Sequence, residues 1–430
     1  MDEILRELER RVPRGSKSAL DEDEDVLEIL REVGRRIVKR RVDEDGKQAI
    51  AAARAEGRRV HAHHEIVVRH VFGECRVVSP YMWSRAKGGE RPVSQRLGLC
   101  DGSSSRLLQK VMTSFGAEES FGRAADLFSE HYGWSLHRTT VRRTTESWGK
   151  RAQSYVEQRL AKEALQYESS LSTRPGVEQL IAEVDGSMVR TGTLHLSGEP
   201  GSTPKRQAPK KQRAEEWREV RVGLVRAPAE VEKTYVAQMG SYEDVCTQLF
   251  GAAVGRGLAS ETKVHAVADG GNGLREALEM SLPNVRFTLD RAHLSAHFYE
   301  AADALGLKEI KRWQWAERHL ARIDIGDVDD VLKELEAHRG RGRTRVRRLV
   351  GYLGRFRDAV DYKAARAAGL PIGSGEVESA QKTIPQKRMK LPGACWHPKH
   401  INPMLSLRVI RANGWWSDFW SAHARQPAVQ

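Results

Sequence analysis

Three acidic residues stand where carboxylates could hold divalent metal ions for phosphoryl transfer. Asp185 closes the apolar run Leu180-Ile181-Ala182-Glu183-Val184 and is followed by Gly186 and Ser187. Asp269 closes Val264-His265-Ala266-Val267-Ala268 and is followed by Gly270 and Gly271. Glu378 lies just inside an expected helix, after Gly373-Ser374-Gly375. Hard Mg²⁺ ions prefer oxygen ligands, and two of them about 4 Å apart stabilise attacking and leaving oxygens together. Both aspartates are expected at carboxyl ends of strands, the edge where sites gather on α/β sheets. Asp-Gly is also a good turn sequence in its own right. Its repetition, followed by the Gly-Ser-Gly element, is what favours chemistry.

The third carboxylate is open between Glu376 and Glu378. With Ser374 as cap, Glu376 falls at the second helical position, where the helix dipole alone explains an acid. Glu378 sits four residues before Lys382, so an ordinary ion pair would explain it too. Asp290 and His293, in Leu289-Asp290-Arg291-Ala292-His293, follow another apolar run. His293 could order a phosphate or a water and Asp290 could be a supporting ligand; a structural Asp–His bond is the plainer account. Beyond Glu378 no acid appears until Asp418, while Lys382, Lys387, Arg388, Lys390, Lys399, Arg408 and Arg411 intervene. That stretch is the sharpest candidate phosphate-binding surface, with a solvated basic face as the alternative.

The elements that must position these groups are set by pattern. Strands are expected at 179–184, 219–225 and 233–238, a helix at 241–256, then strands at 263–268 and 284–289. Gly198 to Gln212 is a basic Gly/Pro/Lys-rich loop. Three strands, a helix, a strand carrying the second aspartate and later helices is the chain order of a ribonuclease H-like domain. Residues 296 to about 366 interrupt it with an amphipathic helical insertion (Trp313, Trp315, Leu320, Ile323, Val328, Val331, Leu332, Leu335) that ends in an arginine run from Arg339 to Arg348.

Upstream, residues 1–65 form a charged helical region whose cluster Arg35, Arg36, Lys39, Arg40 and Arg41 is a solvated face or a DNA-contacting arm. Residues 66–103 hold a short β-hairpin, Ile66 to Val78, and a linker. His61, His63 and His64 precede it without partner ligands at metal spacing. Residues 104–172 are helical and contain a helix-turn-helix. One helix covers Phe121 to His131, the turn is Gly133-Trp134-Ser135-Leu136, and a second helix runs from Arg138 to about Lys150. Trp134, Leu136 and Val141 would clamp the pair, leaving Arg138, Arg142 and Arg143 to face a major groove or its phosphates. Glu157 to Ser170 forms a further polar helix, and residues 175–430 make up the α/β domain.

Composition agrees. The chain has 430 residues, and 71 Lys+Arg against 58 Asp+Glu give a formal charge of +13, which favours a polyanionic partner. The four cysteines, Cys75, Cys100, Cys246 and Cys395, form no C-x-x-C pair. That argues against a disulfide framework and a zinc ribbon and fits a reducing cytoplasm. No signal peptide or transmembrane run is expected.

Several segments resemble the motifs of ISKra-type insertion-sequence transposases: Val184-Asp185-Gly186, Trp217 to Gly223, Ala268-Asp269-Gly270-Gly271, Leu289-Asp290-x-x-His293 and Pro371-Ile372-Gly373-Ser374-Gly375-x-Val377-Glu378-Ser379. The tail Lys387-Arg388-Met389-Lys390 with Gly393 and Trp396 is similar as well. These are bacterial DDE transposases with a ribonuclease H-like core, and the resemblance covers about residues 66 to 412. It implies Asp185, Asp269 and Glu378 as a triad binding two Mg²⁺ ions, with Mn²⁺ as a substitute. Water and then a DNA 3′-hydroxyl would be the nucleophiles. It also implies an amino-terminal helix-turn-helix on the element's terminal repeats, and at least a dimer to bring two ends together. Relatives often carry a C-x-x-C knuckle after the hairpin; this chain has Pro80 to Lys87 there, so zinc is not expected. The rival readings are a structure-selective nuclease of the same fold and a catalytically silent DNA-binding derivative.

Overall fold

The structure is a computed structural model that describes residues 6, 10, 23–99, 103–170, 176–196, 211–337 and 344–423. The chain divides into two compact units, residues 1–148 with 420–430, and residues 149–419.

The first unit opens with helix α1 (Asp23–Ala55), then strands β1 (Arg59–Ala62), β2 (Glu65–His70), β3 (Gly73–Val78), β4 (Tyr81–Ser84) and β5 (Gly88–Glu90). β2 and β3 form the expected hairpin, with Glu65 opposite Val78 and His70 opposite Gly73. β1, β4 and β5 make a separate small antiparallel sheet that local propensity does not indicate. Val42, Ala49, Val68, Cys75, Val77 and Val93 bury together where α1 lies on the hairpin. Helices α2 (Pro92–Arg96), α3 (Arg106–Glu118), α4 (Phe121–Tyr132) and α5 (Arg138–Ser170) come next. Ser105 and Ser120 cap α3 and α4 by accepting from the N–H groups of Leu108 and Arg123. Gly133, at φ 71°, ends α4 in the left-handed conformation that a side chain would resist. Leu136 and Val141 are buried with Phe128, and Trp134 packs on them, as the clamp between the two helices requires. Helix α5 does not stop near Lys150: it runs unbroken for 33 residues and absorbs the segment read as a separate polar helix. The division between the units falls inside it, after Trp148, rather than near residue 172.

The second unit is a mixed α/β domain. Its strands are β6 (Gln179–Leu196), β7 (Lys211–Arg226), β8 (Thr234–Gln238), β9 (Lys263–Ala268) and β10 (Val285–Leu289), in the sheet order β10-β9-β6-β7-β8. β10, β9 and β6 are parallel, whereas β7 and β8 are antiparallel. Helix α6 (Tyr242–Gly255), opened by the Ser241–Asp244 capping box, packs on β7 and β8. Helix α7 (Leu274–Ser281) separates β9 from β10. The insertion comprises α8 (Arg291–Ala304), α9 (Glu309–Asp324), α10 (Val328–Ala337), α11 (Thr344–Arg355) and α12 (Tyr362–Ala367). It buries Leu320, Ile323, Val331, Leu335, Leu349 and Leu353, while Trp313 is 59% exposed and lies outside that core. Helix α13 (Gly375–Gln381) passes through a π turn (Lys382–Gln386) into α14 (Lys387–Met389). Then come α15 (Ile401–Ala412), which packs on β8, and α16 (Trp416–Ala422). Most of the expected basic loop, Gly198 to Lys210, and Arg339, Arg341 and Arg343 lie outside the described residues. No described helix is long and apolar enough to cross a membrane.

Candidate active site

Parallel pairing sets the two aspartates at one level. β6 and β9 pair from Gln179 with Lys263 to Val184 with Ala268, so Asp185 and Asp269 are the next residues on neighbouring strands, about 5 Å apart across the sheet at backbone level. Asp269 follows its strand as expected. Asp185 does not end its own: β6 continues to Leu196 by pairing with β7, so Asp185 marks the place where the β9 ladder stops. Past that point Trp396 takes over the free edge of β6. Its N–H donates to the Arg190 carbonyl and its carbonyl accepts from Gly192 N–H.

Side chains crowd the glycines beside the aspartates. A Cβ on Gly186 would collide with the Glu219 carboxylate, and one on Gly270 with the rings of Tyr352 and Phe356. Backbone N–H groups then fix one oxygen of each carboxylate. Gly186 donates to Asp185 Oδ1 at 2.8 Å and Gly271 to Asp269 Oδ1 at 3.0 Å. Tyr352 of the insertion accepts from Gly270 N–H at 3.1 Å, which braces the loop that carries Asp269.

Asp185 shows what this arrangement does electrostatically. Burial pushes its carboxyl up to about 6, and the negative charges of Asp269 and Glu378 push the same way; Gly186 N–H and His293 oppose them. Carboxylates that converge against mutual repulsion are suited to a divalent cation. Among the described residues, no three His, Cys, Asp or Glu side chains close on a single point tightly enough to chelate an ion. The aspartate pair is the part of the expected triad that strand pairing brings together.

The choice between Glu376 and Glu378 is sharpened. Arg226 donates to both Glu376 oxygens, at 2.8 to 3.1 Å, and Lys233 pairs with it at 2.6 Å. Glu376 is thus held in place, and burial's upward push on its carboxyl is outweighed by Arg226 and Lys233, leaving it below its ordinary value. Glu378 is exposed and makes no ion pair with Lys382. Ser374 does not cap α13 with its side chain.

Instead, Ser374 serves Asp290. Asp290 is 1% exposed and caps α8, with Oδ1 accepting from Ala292 N–H at 2.6 Å and His293 N–H at 2.8 Å. Its Oδ2 accepts from Ser374 N–H at 2.7 Å and the Ser374 hydroxyl at 2.5 Å. Burial alone would raise this carboxyl, yet these bonds and the neighbouring His293 bring it below the ordinary range. With four donors in place Asp290 is a clamp between α8 and the loop before α13, not a free ligand. The bond it accepts from His293 is from the backbone, and the imidazole bears electrostatically on both Asp290 and Asp185.

Sequence reasoning passes over Gln381, which donates to the Asp185 carbonyl at 2.7 Å and accepts from the Ser187 hydroxyl at 2.9 Å, and over Glu183. Glu183, two positions before Asp185 and 1% exposed, accepts from Val377 N–H at 2.9 Å, and its other oxygen has no hydrogen-bond partner among the described residues. Burial pushes its carboxyl up to about 7. The only signal in the sequence is an acid inside an apolar run.

Of the expected DNA contacts, Arg138, Arg142 and Arg143 are exposed on α5, in the first unit. In the second unit Lys382 is exposed at the start of the π turn, Lys387 at the start of α14 and Lys390 just beyond it. Arg388 and Arg408 depart from expectation: they are 3% and 6% exposed. The Arg388 guanidinium lies over the Trp396 ring at 4.7 Å, and Arg408 donates to the carbonyls of Thr383 and Ile384 in the π turn. Neither is available to a phosphate. No protein-family model matches the chain, and no curated protein is significantly similar to it.

Proposed function

We propose that this chain is a DDE transposase of an insertion sequence, with a ribonuclease H-like core, which cuts DNA at the element's terminal repeats and joins the ends to target DNA. The observation that carries the reading is the pairing of β6 with β9. It sets Asp185 and Asp269 side by side while Glu378 and His293 bear electrostatically on Asp185. A sheet with three antiparallel strands first and two parallel strands after them fits a ribonuclease H-like fold.

Asp185, Asp269 and Glu378 would hold two Mg²⁺ ions, or Mn²⁺ in their place. Bound there, the metals would supply activation of the attacking oxygen and charge neutralisation at the scissile phosphate. Gly186 and Gly271 each donate to one oxygen of an aspartate, and the other oxygen of each would be the one to bind metal. His293 would donate to a phosphate oxygen, and Asp290 holds the start of its helix. Lys382, Lys387 and Lys390 would track the backbone near the cut. Arg138, Arg142 and Arg143, on the helix after Gly133, would address the terminal repeats as the second helix of a helix-turn-helix. Joining two ends calls for at least two copies of the chain on DNA, working in the cytoplasm at the nucleoid.

The test is strand cleavage and joining with Mg²⁺ on labelled duplexes carrying the DNA ends that flank the gene, with Asp269→Asn as control. Joined products that disappear in the variant are expected. Cleavage without joining would favour a structure-selective nuclease. Binding without cleavage in both proteins would leave a DNA-binding derivative and sink the catalytic reading.

A further inference from the structure

We propose that the first unit carries a separate cleft, between α1 and β3, that binds the phosphate backbone of duplex DNA. The inference rests on DNA being the partner but not on the chemistry proposed for the second unit.

The cleft encloses about 820 Å³ and is lined by Arg35, Arg36, Lys39, Arg40 and Lys47 of α1 and Arg76 of β3. Three acids also line it, and each is already spent. Asp43 pairs with Lys39 at 2.5 Å, Glu44 with Arg41 at 3.8 Å and Glu74 with Arg69 at 2.5 Å. Arg35 and Arg36 share Glu32. Arg40, Lys47 and Arg76 are exposed and form no ion pair among the described residues. The cleft is left with an uncompensated positive charge.

Its shape selects the class of anion. Arg36, Arg40 and Lys47 recur at helical spacing on one side of α1, over roughly 16 Å of helix axis at 1.5 Å per residue. That run is far longer than one phosphate group. Duplex DNA presents a charge about every 1.7 Å of its axis, so a row of cations this long meets several phosphates at once. The row is also held rigidly. Val42, Gly46, Ala49 and Ala53 bury the neighbouring side of α1, and a Cβ on Gly46 would press on Val77 Cγ2 at 3.3 Å. That close approach keeps Arg76 alongside the helix. Long exposed side chains without buried polar donors suit a backbone rather than a small ligand held on all sides.

The test measures binding of the full chain to a duplex of arbitrary sequence by fluorescence anisotropy between about 50 and 200 mM KCl. The variant is Arg40→Glu, Lys47→Glu and Arg76→Glu together. The control is Arg54→Glu, Arg59→Glu and Arg85→Glu, which changes net charge equally at exposed sites away from the cleft. Thermal melting reports folding. The cleft variant is expected to melt like the wild type and bind about tenfold or more weakly, with the slope of log K against log salt reduced by about two to three. Equal affinity and slope in variant and wild type would overturn the proposal. So would an equal loss in the control, or a wild-type preference for anionic vesicles or duplex RNA over DNA. Wild-type binding through the cleft with no cleavage of element ends would leave this inference standing while the transposase reading fell.

Discussion

The Glu183 carboxylate accepts the Val377 N–H at 2.9 Å, and with the two bonds of Gln381 to the Asp185 carbonyl and the Ser187 hydroxyl this contact ties the strand that carries Asp185 to the helix that carries Glu378. Glu183 and Val377 each lie within two residues of a candidate ligand. The contact therefore helps fix the relative position of two carboxylates that are nearly two hundred residues apart in the chain.

Glu183 should limit stability at alkaline pH. A carboxyl raised from 4.5 to about 7 favours its protonated form in the fold. Its contribution is complete below pH 4.5 and is lost as pH rises through about 7. Glu183→Gln keeps the acceptor for Val377 without ionising. Unfolding measurements should find the variant more stable than wild type by about 1–3 kcal/mol at pH 8, with the gap closing by about pH 5. An equal difference at both pH values would show that the site does not titrate as described.

Glu376 and Glu378 should separate by phenotype. Glu376→Gln weakens its pairs with Arg226 and Lys233 and is expected to cost on the order of 1 kcal/mol, since the site is partly exposed. Metal binding should survive. Glu378→Gln should leave the melting temperature nearly unchanged and weaken Mg²⁺ binding and strand cleavage by at least about a hundredfold. Calorimetric titration with Mg²⁺ and a thermal melt on each variant decide it, and the reverse pattern would make Glu376 the ligand.

Asp185 should make metal binding pH-dependent. Without metal, a carboxyl raised from 3.8 to about 6 adds stability that is complete below pH 3.8 and is lost as pH rises through about 6. A cation restores that loss only where the group is ionised. Addition of MgCl₂ should therefore raise the melting temperature clearly at about pH 8 and hardly at all at about pH 5, with affinity falling about tenfold per unit below pH 6. Asp185→Asn should abolish the shift. A Mg²⁺ effect of the same size in acid, or in the variant, would remove Asp185 from the ligand set.

What could be read from the sequence was whatever depends on neighbours in the chain. Alternation gave the hairpin at 65–78, and β-branched runs gave the five strands of the larger sheet. The continuation of β6 past Asp185 was not legible. Gly186, Ser187 and Gly192 look like turn residues, and the strand is held by its pairing with β7 across a long connection and by the backbone of Trp396 on its other edge. Glu376 and Glu378 are alike in sequence, and only distant partners, Arg226, 150 residues away, and Lys233, tell them apart. Arg388 and Arg408 were visible as charges, but not as buried groups spent on Trp396 and on the carbonyls of a π turn. Tertiary partners, not local pattern, decided each of these cases.

Asp290 offers the clearest separation of position from chemistry. Its lowered carboxyl contributes stability that is present above about pH 4 and lost as pH falls through its folded value. Asp290→Asn replaces an oxygen that accepts two bonds with an amide that must donate, and it leaves two of four donors facing no acceptor. In a site 1% exposed the expected cost is about 2–4 kcal/mol. Ser374→Ala removes one donor and keeps the carboxylate, so it should cost about 1 kcal/mol. Because the clamp sets the loop that leads into the helix of Glu378, Ser374→Ala should also slow strand cleavage at saturating DNA while leaving duplex affinity unchanged. Denaturant titration gives the first pair of numbers and single-turnover cleavage the second. Full cleavage in Ser374→Ala would confine Asp290 to holding the fold, with no part in placing the third carboxylate.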